Sequence, residues 1–177
     1  MKKFYVPVYL ALFGMSFATF GAGHGHGRVQ MQGKIIDTAC AISTGDAVQG
    51  VDLHNFTIDE LVTKGRGPEV ILTIHLVNCA LNGHDEQKAN RWKDVRITFD
   101  GDATGSSLFA LQGEARGEAL VIEDEQGYRA KPGEPMPPVS VAPGSMTLRY
   151  RLWLMRDQQA IRPGPFYTTV RFFMEYD

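Results

Sequence analysis

Several things are scarce in this chain. Two cysteines, Cys40 and Cys79, are all that 177 residues hold. They are too few for a four-thiolate zinc site and too far apart for a C-x-x-C redox pair. Eighteen Lys and Arg against 20 Asp and Glu give a net charge of −2, with no basic block. That balance argues against a nucleic-acid binder working by phosphate neutralisation. No G-x-S-x-G, H-E-x-x-H, P-loop or dinucleotide fingerprint occurs, so no catalytic set is recognisable. The acidic run Glu123-Asp124-Glu125 lacks the order of a calcium loop and reads as a solvated turn. His54, His75 and His84 are scattered, and His75 reads as structural. Helix is equally scarce: residues 58–64, capped by Thr57 or Asp59, are the single plausible stretch.

What is present points to β-structure. A hydrophobic share of 44% supports a core, and 19 glycines suit a turn-rich chain of one domain. The first residues read as an export signal: Met1-Lys2-Lys3, then an uncharged apolar run over 4–20, then Gly21-Ala22-Gly23. We place the signal at residues 1–21, with the cut between 21 and 23. Removing Lys2 and Lys3 leaves the mature chain more acidic. In an oxidising compartment, Cys40 and Cys79 form a disulfide by default, a catalytic thiol being the alternative. Closing a loop of about 40 residues stabilises a fold by ~4 kcal/mol in the chain-entropy model.

Residues 24–35 alternate cleanly. Gly25, Gly27, Val29, Met31, Gly33 and Ile35 share one face; His24, His26, Arg28, Gln30, Gln32 and Lys34 share the other. No hairpin turn joins this strand to the next, so it gains little by pairing at home; a frayed edge strand is the bland alternative. Further strands are expected over 69–79, with burial on both faces, and over 95–99. A short piece at 120–122 follows, then 148–154, and last 166–176, running to the C-terminus. Residues 101–107 read as a loop. Residues 131–138, with Pro132, Pro135, Pro137 and Pro138, read as an extended connection. Many short strands with Gly/Pro turns give a β-sandwich. One weak metal pattern remains: Ala22-Gly23-His24, if Ala22 is the mature terminus, offers four nitrogens suited to square-planar Cu(II) or Ni(II). We assign no metal, cofactor or catalytic residue.

The pieces resemble the pilin subunits of chaperone–usher fimbriae, of the type 1 and P-pilus group. The carrying residues are Val29 through Cys40, with Gly33, Ile35 and Ile36 spaced before Cys40, then Leu72-Thr73-Ile74-His75-Leu76-Val77-Asn78-Cys79. The strand and turn Val95 to Gly101 and the ending Gly164-x-Phe166 through Tyr176 complete them. The resemblance covers nearly all of the mature chain. It implies an all-β, incomplete immunoglobulin-like sandwich that lacks its last strand and is completed by a donor strand. It implies a donor extension at 22–36 and a pilin domain at 37–177. Val29, Met31, Gly33 and Ile35 would enter a neighbour's groove. Phe166, Thr168, Val170, Phe172, Met174 and Tyr176 would border this chain's own groove, and the Asp177 carboxylate would meet basic residues of a chaperone. The implied partners are a periplasmic chaperone, an outer-membrane usher and neighbouring pilins, on a fimbrium reached through the periplasm. Trp92, Trp153, eleven arginines and Thr168 depart from the small-residue composition of shaft pilins. That departure suggests a minor subunit, terminator before adaptor. A tip adhesin would need a further domain, for which the length leaves no room.

Overall fold

The computed structural model describes residues 29–32, 38–82, 92–105 and 107–177. The chain divides into two compact units, Met1–Ile35 and Ile36–Asp177, and the sandwich lies in the second. In the first, residues 29–32 form neither helix nor strand, and Val29 and Met31 are exposed. The export signal, the Ala22-Gly23-His24 pattern, Gly33 and Ile35 fall outside the described residues.

The elements run β1 (Ala41–Ile42), α1 (Ile58–Lys64), β2 (Val70–Cys79), β3 (Asp94–Asp100), β4 (Ala103–Thr104), β5 (Leu108–Ala110) and β6 (Gln112–Gly113). β7 (Glu118–Asp124), β8 (Val139–Ser140), β9 (Gly144–Arg156), β10 (Phe166–Tyr167) and β11 (Arg171–Tyr176) follow. One sheet has the order β1-β2-β9-β7-β5-β4; the other is β11-β3-β8, and β10 pairs with β6. All the ladders are antiparallel. The helix has the expected bounds, and Thr57 is its cap: its hydroxyl accepts the Glu60 amide at 3.1 Å. Gly65, at φ 72°, ends the helix in the left-handed region.

Alternation builds the core. Ile74 and Leu76 of β2, Val95, Ile97 and Phe99 of β3, and Leu148, Leu152 and Leu154 of β9 are all buried between the layers. Each such side chain contributes roughly 1.5–3 kcal/mol when fully buried. Asn78, at φ 55°, sits in a register shift between Leu76 and Cys79. Cys79 bonds to Cys40, while the Ala80 amide donates to the Ala39 carbonyl at 2.7 Å.

Four sequence expectations change. The last strand is broken: its first part, β10, pairs with β6, and residues 168–170 leave the ladder before β11 joins β3. Residues 101–107 are not wholly loop, because Ala103–Thr104 pairs with β5. Ile71 is half exposed, so β2 is buried on one face more than the other. Glu123 is buried rather than solvated, bonded to Arg151 and, at 3.2 Å, to Arg129.

The two edges of the three-stranded sheet differ in chemistry. On one side β3 is covered by β8 and the proline-rich segment, where Gly133 and Met136 donate to the Phe99 and Ile97 carbonyls. Four prolines there can offer no outward amide, which blocks further pairing. On the other side β11 is the edge, with no partner beyond it among the described residues.

The loop after β9 packs backbone to backbone on the turn before β7. Gly117 has φ 84°, and a Cβ there would stand 2.7 Å from the Ala160 carbonyl oxygen. Gly117→Ala is therefore expected to destabilise the chain by roughly 1–3 kcal/mol, read as a lower urea midpoint. Gly45→Ala, with no atom within 4 Å of the added carbon, should leave the midpoint unchanged.

Candidate functional site

An apolar cleft of about 930 Å³ opens beside β11. Leu72, Phe99, Leu120, Ile122 and Leu152 form its floor, the same side chains that fill the core on their other sides. Residues 164–173 make one wall; Ile42 and residues 47–55 make the other. The β11 edge and the broken stretch 168–170 leave backbone groups without ladder partners along the first wall. Unpaired backbone beside an open core has the chemistry of a strand-addition site.

Of the residues expected to border the groove, Phe166, Thr168, Val170 and Phe172 line this cleft, while Met174, Tyr176 and Asp177 lie beyond it on the same strand or at its end. Phe172, Met174 and Tyr176 are half buried and pack on the core, while Arg171, Phe173 and Glu175 face outward. Val170 also packs inward. The Thr168 hydroxyl donates to the Ala110 carbonyl at 2.9 Å, holding the break in place.

Two contacts flank the cleft, made by residues of which only Phe166 lines it. At one, the half-buried rings of Phe56 and Phe166 lie 6.2 Å apart, and a Cβ added at Gly67 would stand 3.3 Å from the Phe56 ring. At the other, the Tyr176 hydroxyl reaches the Cys40 carbonyl at 3.4 Å, and Trp92 stacks edge-on against the Tyr176 ring. Burial of that phenol raises its pKa. Asp177 is held inside this chain: its main-chain oxygen accepts the Lys93 and Asp94 amides at 2.6 and 3.2 Å, and its side chain meets Arg96 at 2.8 Å.

Sequence reasoning missed the second wall. Residues 47–55 carry no alternation and no ladder, and polar Gln49, Asp52, His54 and Asn55 disguise the apolar positions between them. No group of three or more His, Cys, Asp or Glu that could hold a metal occurs among the described residues.

The architecture defines a class: an all-β, immunoglobulin-like sandwich that lacks a strand. No protein-family model matches the chain. It is 29% identical over 154 residues to the PRS and PAP fimbrial minor pilin proteins of Escherichia coli, covering 85% of this chain and 77% of each relative. It is also 29% identical over 180 residues to the Fimbria A protein of Serratia marcescens, covering 99% and 98%. The crystal structure of the P pilus rod subunit PapA shares the fold, with a TM-score of 0.69 at 22% identity over 79% of this chain and 100% of that one. By these relatives and by its incomplete sandwich the chain is similar to the pilin subunits of chaperone–usher fimbriae.

On the second wall, Asp46 is held below the ordinary carboxylate value of 3.8, first by the His75 amide and then by the His75 ring. A depressed carboxyl contributes above its unfolded pKa and loses the contribution as pH falls through the folded value. The His75 amide should therefore stay protected from exchange at neutral and mildly acid pH. Protection should fail below pH 3.8, observable by NMR of amide exchange; protection that persists unchanged well below that value would show that the Asp46 carboxylate does not hold the amide.

Proposed function

We propose that this chain is a minor structural subunit of a chaperone–usher pilus, not an enzyme, and that donor-strand exchange assembles it. Residues 1–21 direct export and are removed. Residues 22–36 then enter a neighbouring pilin, with Val29, Met31, Gly33 and Ile35 facing that neighbour's core. Residues 37–177 are the pilin domain. A periplasmic chaperone fills the cleft first and hands the subunit to an outer-membrane usher, which leaves it on a cell-surface fimbrium. The observation that carries this reading is the unpaired β11 edge above an open core floor. The Escherichia coli relatives, which are minor pilins by name, support the minor role.

We further read the subunit as the terminator at the pilus base. Support comes from the two contacts that flank the cleft. Between the Phe56–Phe166 contact and the Tyr176–Cys40 contact, the free wall from Thr168 to Met174 accommodates about seven extended residues at roughly 3.3 Å each. A longer donor would have to part the two rings.

Peptides of two lengths test this on the full mature chain. A seven-residue alternating Val/Leu peptide should bind. Extending it past Phe166 with a further apolar residue should add no affinity. In Phe56→Ala the extension should gain about tenfold, the worth of one newly buried side chain, by fluorescence titration. An equal gain in the unaltered protein would make the chain an internal subunit, adaptor or shaft.

A further inference from the structure

The two walls of the groove are held differently. β11 is fixed along its length by six register pairs with β3. The facing wall, residues 44–56, belongs to no ladder. Ser43 gives it a starting point, its amide donating to the His75 carbonyl at 2.9 Å. Beyond Ser43, two side chains occupy places on the β2 edge that a strand backbone would otherwise take. Asp46 Oδ2 accepts the His75 amide at 2.6 Å and lies 2.8 Å from His75 Nδ1. Gln49 Nε2 donates to the Thr73 carbonyl at 2.9 Å and to the Asp46 carbonyl at 3.3 Å. Thr73 and His75 are alternate residues of one strand, so both ties fasten to the same free edge. Between them Ala47 and Val48 line the cleft, and Val48 is 90% exposed at its mouth.

We propose that Asp46 and Gln49 are positioning residues for strand uptake. They hold the irregular wall at a fixed distance from β11, so that the incoming strand meets a formed slot. Without the ties, the wall samples many backbone conformations that docking must then reverse, an entropic cost paid during association. The same two side chains cover the β2 edge where β1 stops, which withholds it from strays. The inference rests on reading the cleft as a strand acceptor, and its test separates the two.

The test uses the full mature chain and the seven-residue alternating Val/Leu peptide. Asp46→Ala with Gln49→Ala should weaken uptake about tenfold, chiefly through a slower association rate. Exchange of the His75 amide should accelerate in the free chain, while amides of β2 bonded to β9 keep their protection. Asp46→Asn, which retains an acceptor for the His75 amide, should recover most of the rate. Gln49→Ala alone is the milder lesion should the double variant fold poorly, and it should show the same slowing to a lesser degree. Uptake at the unaltered rate in these Ala variants overturns the positioning role. Absence of uptake by the unaltered protein overturns the acceptor reading, and the inference with it.

Discussion

β11 is paired on one side only. It holds six register positions against β3 and faces nothing across its other edge among the described residues. Core side chains such as Phe99, Ile122 and Leu152 are buried and also line the cleft beside β11. Open apolar floor beside unpaired backbone is a hazard in a free protein, because any extended chain can complete it. The rest of the fold is arranged to confine that hazard to one place. Prolines cover the opposite edge of the same sheet, Asp46 and Gln49 cover the β2 edge, and β4 leaves only two residues at the far edge of the larger sheet.

The disulfide and the aromatic contacts belong to the same economy. Cys40–Cys79 fixes the residue before β1 to the end of β2, beside the place where the Tyr176 hydroxyl reaches the Cys40 carbonyl. Trp153 and three of the arginines have a structural account too. Trp153 is buried, with the Arg66 and Arg129 guanidinium groups 5.7 and 5.8 Å from its ring, and Arg129 and Arg151 share Glu123. These groups cover the outer face of the larger sheet, so their presence speaks for packing as much as for a position in the fibre.

Much of this was legible in the sequence, for a physical reason: period-two alternation encodes which face is buried, and β2, β3 and β9 obey it. The helix was legible through Thr57 and Gly65, whose local chemistry needs no tertiary partner. The break at residues 168–170 was not, because Thr168 continues the alternation while its hydroxyl is claimed by Ala110, distant in sequence. Glu123 misled for the same reason, its arginine partners lying on other segments. The wall at residues 47–55 gives no periodic signal because no ladder imposes one. Of the site, the β11 side could be read in advance; the facing wall and the flanking contacts required coordinates.

The central claim is that the domain is one strand short. Sedimentation and thermal unfolding of the mature chain, alone and with an alternating apolar strand peptide in excess, test it most directly. The account predicts aggregation or a low, broad transition for the chain alone, and a soluble monomer with a sharp, higher transition once the peptide is bound. A chain that is monomeric and cooperative alone, with a melting temperature the peptide does not move, would contradict it.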